Sequence, residues 1–298
     1  MIVVPEIVLE RIACAVGPVV TDNRSTVPEK TIEATGFARR YSVAPGTTLL
    51  DLCLEAVRRL PAETLSGVGG VIAATFSAED RFPSLAVRVA GALGLPDATP
   101  AFDLQMACSA YPYAVYLAGR LAADTGRQVL VVNGDIQSAL TDPADAATAP
   151  LFSDAATATL VSCDPARTER SSVDFLSHAS DALRCPSGGP ISMDGLGVFA
   201  FVATQVTPFL KRFVELSAAS DPRPLDGFAP HQANLYMVRQ LARSLGLTDR
   251  LLTDGGAFAN PGSCSVPLTL ANAGRTGRML IAGFGAGLSA AAATVRLA

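Results

Sequence analysis

Apolar residues recur three or four positions apart in several stretches of the chain, which is the pattern of helices that bury one face. Between these stretches lie short apolar runs whose length suits buried strands. The pattern predicts helices over residues 48–60, 84–94, 110–123, 204–218, 233–246 and 265–273. It predicts strands over residues 69–75, 128–134, 156–162, 225–229 and 279–283. Because helices and strands alternate, we expect an α/β protein with a mainly parallel sheet.

The chain also contains a weak internal repeat. In the first copy the extended segment FDLQMA leads to Cys108, a helix follows, and QVLVVNGD forms the next strand. In the second copy LLTDGGAFA leads to Asn260, a helix follows, and RMLIAGFG forms the strand. Two such units stacked face to face would bring Cys108 and Asn260 to one centre, where the carboxyl ends of strands bind ligands. We therefore expect two half-domains, residues 1–165 and 166–298.

Composition and charge exclude several classes of protein. The 298 residues are 49% hydrophobic and 17% charged, which suits a compact protein with covered sheets. The net charge is −4 and no run of Lys and Arg forms a basic stripe, so we expect no nucleic-acid partner. The longest apolar stretch, residues 279–295, is interrupted by Gly and Ser and is too short to span a bilayer. The opening residues lack the basic segment and cleavage site of a signal peptide, so we expect a cytoplasmic protein without a membrane partner.

Cysteine and histidine usage argues against a disulfide framework and against a metal site. The six cysteines form no CxxC pair and have no short regular spacing. The chain has only two histidines, His178 and His231, and neither has a cysteine pair beside it. A zinc or iron site would therefore lack ligands, and we expect no bound metal.

Cys108 is the first candidate for chemistry. It lies in MACSAYPYAVYL, at or just before the first turn of a predicted helix. The free N–H groups and positive end of a helix favour an anion, so we expect this position to lower the pKa of the thiol toward the nucleophilic thiolate. The alternative interpretation is a buried structural cysteine.

His231 and Asn260 are the second and third candidates. His231 lies in PHQAN, between an apolar strand and a helix, where we expect it to reach into a cleft while its other ring nitrogen is held by the backbone. Asn260 lies in GGAFANPGS, where glycines and Pro261 indicate a tight turn that aims a neutral amide. Each residue alone could equally be structural.

The segment AGFGAGLS, residues 282–289, contains alternating glycines that superficially resemble a dinucleotide-binding loop. No strand–helix–strand unit of the right length follows it, and the chain has no room for an acidic ribose ligand beyond it. We interpret it as a turn whose backbone N–H groups face a reacting carbonyl.

Taken together in this order, these segments resemble β-ketoacyl-acyl-carrier-protein synthase III, a branch of the thiolase superfamily. PHQAN followed by N-x-x-x-x-S-V-P carries most of the specificity, and the likeness extends to TGFARR, to residues 133–162, to MDGLGVFAF and to GFGAGLSAAAATVR. The resemblance implies a thiolase-like fold, in which two pseudo-duplicated βαβαβαββ halves form a five-layer αβαβα arrangement. The chain resembles a divergent member, shorter than is usual.

The resemblance also implies roles for particular residues. Cys108 would take the acyl group, while His231 and Asn260 would donate hydrogen bonds to the thioester carbonyl of a second, malonyl substrate. The oxyanion hole would consist of the backbone N–H groups of Cys108, Gly285 and Ala286. The pocket would include Phe82, which a partner subunit inserts in relatives, and Tyr111.

Expectations about ligands and partners follow in the same way. The resemblance implies no permanently bound cofactor, with acyl and malonyl thioesters of acyl carrier protein or coenzyme A as substrates, and it implies a homodimer. Three positions that grip coenzyme A in typical members hold Ile32, Ala34 and Ala146, and the arginine that usually follows PHQAN is Tyr236. These departures suggest a specialised relative that takes acyl groups from a carrier protein.

The most favoured function is decarboxylative Claisen condensation in fatty-acid or secondary-metabolite biosynthesis. One alternative keeps Cys108 as nucleophile but transfers the acyl group to an alcohol or amine, with His231 as general base. A second alternative is a non-catalytic subunit that pairs with an active homologue. The sequence leaves open the acyl chain length, the acceptor, the donor and the pathway.

Overall fold

A computed structural model describes residues 1–298 as fourteen strands and nine α-helices. The strands are β1 (Ile2–Pro5), β2 (Ile7–Val16), β3 (Val19–Asp22), β4 (Arg39–Ser42), β5 (Val68–Ala74), β6 (Ala101–Leu104), β7 (Gln128–Asp135), β8 (Ala155–Cys163), β9 (Arg170–Ser177), β10 (Leu183–Arg184), β11 (Ser192–Met193), β12 (Gly227–Pro230), β13 (Gly277–Gly285) and β14 (Ser289–Leu297). The helices are α1 (Glu29–Thr35), α2 (Leu49–Arg58), α3 (Ala62–Leu65), α4 (Leu85–Ala92), α5 (Ala110–Thr125), α6 (Gly195–Phe201), α7 (Thr207–Ser220), α8 (Leu235–Ser244) and α9 (Ser265–Asn272). Every helix and strand predicted from the apolar pattern is present.

The fold has five layers. The sheet consists of two parts, one in each half of the chain, and both faces of each part are apolar and covered by helices. On β5, Ile72 and Ala74 belong to the core that contains α5, whereas Val71 and Ala73 belong to the core that contains α2 and α4. The strands of the second half alternate in the same way between α5 with α9 on one side and α7 with α8 on the other. Helices α5 and α9 therefore form the middle layer. This confirms the predicted thiolase-like αβαβα arrangement.

The sheet is mixed rather than mainly parallel, so that expectation was wrong. One half runs in the order β6-β5-β7-β8-β2, and the other in the order β12-β13-β14-β9-β1. The pairs β5–β6, β5–β7 and β12–β13 are parallel and are linked by helices, as parallel pairs require. Strands β7, β8 and β2 pair antiparallel, as do β13, β14, β9 and β1.

The two halves are joined at their sheets. Strand β14 pairs in parallel with β2 through Arg296 and Leu297, which lie opposite Val8 and Leu9. Strand β1 comes from the beginning of the chain but pairs with β9, so it adds to the sheet of the second half. The connection between β8 and β9 covers residues 164–169.

Helix ends follow local capping chemistry. Thr48 caps α2 in a reciprocal capping box with Asp51, and the side chain of Asn234 caps α8 by accepting from the N–H of Met237. Gly126 ends α5 in the left-handed region, which a glycine adopts at low cost. No helix combines the length and the apolar character needed to cross a lipid bilayer.

The helix predicted over residues 204–218 begins earlier than expected. Helix α6 runs through a π-helical segment, Val202–Val206, directly into α7. Pro208 sits in the first turn of α7 and has no N–H to bond the preceding turn, which favours a wider turn at this point. The hydroxyl of Thr207 donates to the carbonyl of Val202 and satisfies part of that turn. The apolar spacing gave no signal for α6 or for α1.

The outer helix α7 offers a matched test of the second-half core. Leu210 is fully buried, whereas Leu216 on the same helix is 42% exposed. We expect Leu210→Ala to lower the free energy of unfolding by about 2–5 kcal/mol, because it leaves a cavity in a packed core. Leu216→Ala should cost less than about 1 kcal/mol. Urea denaturation of both variants checks this, and equal losses would show that α7 does not pack as described.

Candidate active site

Cys108 lies in a short 3-10 turn, Ala107–Ser109, between β6 and the start of α5. The turn is entered through Ala107, whose φ of 40° lies in the left-handed region that non-glycine residues rarely adopt. The thiol residue is only 6% exposed. The hydroxyl of Ser109 lies 2.7 Å from that of Ser289 on β14, so the start of the middle helix is fastened to the second half.

The glycines at the end of β13 allow this strand to press against the Cys108 turn. A Cβ on Gly283 would lie 2.8 Å from the Cα of Ser109, and a Cβ on Gly285 would lie 2.8 Å from the Cβ of Cys108. Gly285 also has a φ of +151°, which favours glycine. The alternating glycines therefore mark a close backbone approach, in agreement with the interpretation of residues 282–289 as a turn facing the site.

The thiol of Cys108 is protonated in the free protein. Burial raises its pKa to about 11, and hydrogen bonds from the backbone of Ala286 and of Cys108 itself only partly oppose this, while the charge of Asp135 raises it further. The sequence predicted a thiol pKa lowered toward the thiolate. The backbone N–H groups do act in that direction, but desolvation outweighs them and the pKa is raised overall. The backbone of Ala286 is nevertheless close enough to the thiol to lower its pKa.

His231 follows β12 directly and is 1% exposed. Its backbone N–H donates to the carbonyl of Ala282 on β13, and its Nδ1 lies 2.7 Å from Oγ of Ser265. The ring also packs edge to face on Phe284, with centroids 5.5 Å apart. Burial lowers the pKa of His231 to about 4, although a hydrogen bond with the backbone of Gly262 acts in the opposite direction. The imidazole is therefore neutral near pH 7.

Asn260 occupies a turn with the same local geometry as Cys108. It follows Ala259, whose φ is 53°, and precedes a 3-10 turn, Gly262–Cys264, that leads into α9. Its Oδ1 accepts the N–H of Gly262 at 3.0 Å. Its Nδ2 donates to no group of the protein and is not a buried unpartnered atom, so it is open to a bound molecule. The repeat noted in the sequence is thus also a repeat of backbone shape.

Contacts between neighbouring groups place the three candidates around one centre. The Cys108 turn touches the Gly262–Cys264 turn, and Gly285 of β13 touches the side chain of Cys108. Phe284, the residue before Gly285, packs on the ring of His231. Ser265, which begins the helix after Asn260, contacts the same ring. A network of contacts through β13 and the start of α9 therefore connects the turn of Cys108, the ring of His231 and the segment that follows Asn260.

A buried polar row beneath the Asn260 turn was missed in the sequence. Nε2 of Gln137 donates to the carbonyl of Asn260 at 3.0 Å, and Nδ2 of Asn133 donates to the hydroxyl of Ser263 at 3.0 Å. Asp135 lies between them, with one carboxylate oxygen near Gly262. The sequence contains a pattern that could have indicated this row: Asn133, Asp135 and Gln137 are polar residues at every second position, at the end of the apolar strand β7 and just after it.

Asp135 links this row to the loop that follows β5. One of its oxygens accepts from the Thr75 hydroxyl and from the N–H groups of Phe76 and Ser77, while the other has no partner. Burial raises the pKa of Asp135 to about 7, and the three hydrogen bonds counter that effect only in part. This carboxyl is therefore the one acidic group close beneath the candidate site.

The two expected pocket residues, Tyr111 and Phe82, differ in exposure within the single chain. Tyr111 is fully buried in the core between the sheets, where its hydroxyl lies 3.2 Å from Oγ1 of Thr159. Phe82 is 85% exposed. No group of three or more His, Cys, Asp or Glu side chains is arranged to hold a metal ion.

Comparison with known proteins places this geometry in a family. The family described as 3-oxoacyl-[acyl-carrier-protein (ACP)] synthase III matches residues 102–180, and its C-terminal region matches residues 217–297. The chain is 33% identical to β-ketoacyl-[acyl-carrier-protein] synthase III 2 of Streptomyces coelicolor, over 88% of this chain and 83% of that protein. It is similar in structure to a 3-oxoacyl-(acyl-carrier protein) synthase from Burkholderia xenovorans, with a TM-score of 0.89, 25% identity and coverage of 99% and 95% of the two chains. It also resembles the priming β-ketosynthase of the R1128 polyketide pathway, with a TM-score of 0.87, 26% identity and coverage of 99% and 98%.

The close approach of β13 predicts the effect of a single methyl group. Gly285→Ala should displace the turn that aims the Ala286 N–H at Cys108, so that the pKa of the thiol rises further and less thiolate forms. We expect alkylation of Cys108 by iodoacetamide at pH 8 to slow about tenfold, the factor that one pKa unit gives. Peptide mass spectrometry would measure the rate at Cys108. Gly91→Ala on α4, where a Cβ meets nothing within 4 Å, is the control, and an unchanged rate in Gly285→Ala would contradict the contact.

Proposed function

This chain belongs to the 3-oxoacyl-[acyl-carrier-protein] synthase III family of the thiolase superfamily, and from that premise we propose that it catalyses a decarboxylative Claisen condensation. An acyl group is held on Cys108 and joined to a malonyl thioester, in fatty-acid or polyketide biosynthesis. We also propose that residues 1–165 supply the nucleophile and residues 166–298 supply His231 and Asn260. The observation that supports the proposal is that the contact network around Cys108 leads to a neutral imidazole at His231 and to an amide at Asn260 whose Nδ2 bonds no group of the protein.

The first step is transfer of the acyl group to the enzyme. Sγ of Cys108 attacks the thioester carbonyl, a sulfur–carbon bond forms, and the carrier thiol leaves with the proton of Cys108. The tetrahedral oxyanion is stabilised by backbone N–H groups of Cys108 and of the Gly285–Ala286 turn. Support comes from the backbone of Ala286, which lowers the pKa of the thiol, and from the close contact of β13 with the Cys108 turn. Because the thiol pKa is about 11 in the free protein, ionisation accompanies attack rather than precedes it.

The second step makes the carbon–carbon bond. The malonyl thioester loses carbon dioxide, and the enolate oxygen that results accepts hydrogen bonds from Nε2 of His231 and Nδ2 of Asn260. The enolate carbon then attacks the acyl carbonyl, the carbon–sulfur bond to Cys108 breaks, and Cys108 leaves as a thiolate that takes a proton from solvent to become the thiol again. Decarboxylation needs stabilisation of developing negative charge and no proton abstraction, so neutral donors suit it. The low pKa of His231 supports this assignment, because a buried imidazolium is disfavoured.

The mouth of the site supports delivery of acyl groups on a carrier protein. Ile32 is buried and offers no planar surface for an adenine ring. At the start of α8, the exposed ring of Tyr236 stacks on Phe199, with centroids 6.5 Å apart. Arg239 and Arg243 are exposed on the same helix and provide positive charge for an acidic carrier.

We propose that the chain forms a homodimer through the edge strand β6. This strand pairs only with β5, so its other edge presents unpaired N–H and C=O groups. Phe102 on β6 and Val87 on α4 are exposed, and so is Phe82 in the preceding loop. Pairing of two β6 edges would cover this apolar surface and bring Phe82 to the neighbouring subunit, where the resemblance assigns it to the pocket.

The two steps can be separated by mutation. Cys108→Ala should abolish the gain of acyl mass. His231→Ala and Asn260→Ala should keep that gain but lower carbon dioxide release from malonyl thioester by about 10²–10³-fold, the usual loss of one fixed donor to an oxyanion. Mass spectrometry and a carbon dioxide assay measure the two steps. Transfer to an alcohol or amine without carbon dioxide release would favour simple acyl transfer, and an inert Cys108 would favour a non-catalytic subunit.

The dimer proposal has its own test. Phe82→Asp should convert a dimer to a monomer, because it places a charge in an apolar interface. Light scattering after size-exclusion chromatography measures the mass. Leu196→Asp on α6 is the matched control, since Leu196 is as exposed as Phe82, at 83% against 85%, but lies in the second half of the chain. A wild-type protein that is already monomeric would contradict the proposal.

A further inference from the structure

Ser265 is the only side chain that hydrogen-bonds the ring of His231. It is the first residue of α9, and it is fully buried, so no water competes for its hydroxyl group. Its Oγ lies 2.7 Å from Nδ1 of His231 and also accepts the backbone N–H of Gln232 at 3.2 Å. The hydroxyl therefore stands between a ring nitrogen and an amide nitrogen.

The single hydrogen of the Ser265 hydroxyl determines which group is the donor in its hydrogen bond with Nδ1 of His231. A serine hydroxyl carries one hydrogen and two lone pairs. One lone pair receives the Gln232 N–H, and an amide nitrogen cannot accept a hydrogen bond in return. The only acceptor in contact with the hydroxyl is therefore Nδ1 of His231. If Nδ1 itself carried the proton, the serine hydrogen would be buried without a partner, which costs about 1–3 kcal/mol.

We infer that Ser265 is a positioning residue that donates to Nδ1 and thereby keeps the proton of the neutral imidazole on Nε2. This inference deepens the proposed function and rests on it, since a proton on Nε2 is what lets His231 donate to the enolate oxygen. Ser265 touches no substrate. It acts through the histidine alone.

Further contacts fix the backbone around His231, so the tautomer of the ring is the remaining variable. The His231 N–H donates to Ala282, which fixes the backbone to β13. The side chain of Gln232 is held at both ends, because its Nε2 donates to the Pro230 carbonyl at 2.7 Å and its Oε1 accepts from the Thr253 hydroxyl at 2.8 Å. The ring cannot flip without losing the Ser265 bond and its packing on Phe284.

The chain allows a direct test, because it contains only two histidines. His178→Gln removes the other ring, which lies on Phe201 at the surface, and leaves His231 as the single imidazole in a ¹⁵N spectrum. We expect the proton on Nε2 and an unprotonated Nδ1 from pH 8 down to about 5, because the pKa of His231 is about 4. In His178→Gln with Ser265→Ala the ring should become a mixture of the two tautomers. A proton on Nδ1 in the single variant, or an unchanged spectrum in the double variant, would overturn the inference.

Kinetics supply a second reading. Ser265→Ala should lower carbon dioxide release about tenfold or more, the scale on which outer-shell partners act, while acylation of Cys108 changes less than about threefold. Ser265→Thr, which keeps the hydroxyl, should restore most of the release. Ser172→Ala is the matched control, because Ser172 is equally buried but lies on β9, where its hydroxyl bonds that of Ser220 and not His231. Equal losses in both serine variants would show a merely structural role.

The spectra and the kinetics separate two kinds of failure. If the tautomer is as expected but His231→Ala releases carbon dioxide normally, the proposed function fails and the assignment of the proton stands. If His231→Ala is inactive but the tautomer is independent of Ser265, the proposed function stands and the role of Ser265 fails.

Discussion

The contact between the glycines of β13 and the start of α5 is the constraint on which the site depends. At Gly283 and Gly285 the backbone of the second half lies where a side chain would otherwise be, against Ser109 and Cys108. This approach brings the Ala286 N–H to the sulfur and brings Phe284 to the ring of His231. A wider separation would leave the thiol without a fixed donor and the imidazole without its packing. The geometry of the candidate site thus depends first on how closely the backbone of β13 approaches the Cys108 turn.

The same backbone device occurs twice. Ala107 and Ala259 each adopt a left-handed conformation directly before a candidate side chain, Cys108 inside a 3-10 turn and Asn260 two residues before one, and each turn leads into a middle-layer helix. Such conformations are costly for alanine and persist where the surroundings determine them. Here the surroundings are the two facing turns themselves, together with the polar row of Asn133, Asp135 and Gln137 that supports one of them. The contact between the two turns therefore helps to stabilise the left-handed conformation in each half.

Much of the fold was predictable because periodicity reports burial. The alternation of apolar helices with apolar runs located every major element of the middle and outer layers, and the segment repeat paired Cys108 with Asn260. Strand direction was not predictable in this way, since an apolar run buried on both faces reads the same in a parallel and an antiparallel pair. Helix α6 was missed because a π-helical segment shifts the periodicity ahead of Pro208.

The site was predictable in its residue types and less so in its electrostatics. The position of Cys108 at a helix start was right, but its pKa depends on burial, which sequence does not give. Ser265 and the polar row formed by Asn133, Asp135 and Gln137 contact the motif residues or the turn around them. These contacts are evident only from the distances in the structure. The resemblance supplied roles for His231 and Asn260 that neither residue reveals by itself, because a lone His or Asn has many structural uses.

Strand β1 has a consequence for how the chain can be divided. It originates in the first half yet completes the sheet of the second by pairing with β9. A fragment comprising residues 166–298 alone would leave β9 as a bare edge, with unpaired N–H and C=O groups beside apolar surface, and such edges invite self-association. The first half thus covers an edge of the second, so the protein is better regarded as one cooperative unit than as two modules that could be exchanged.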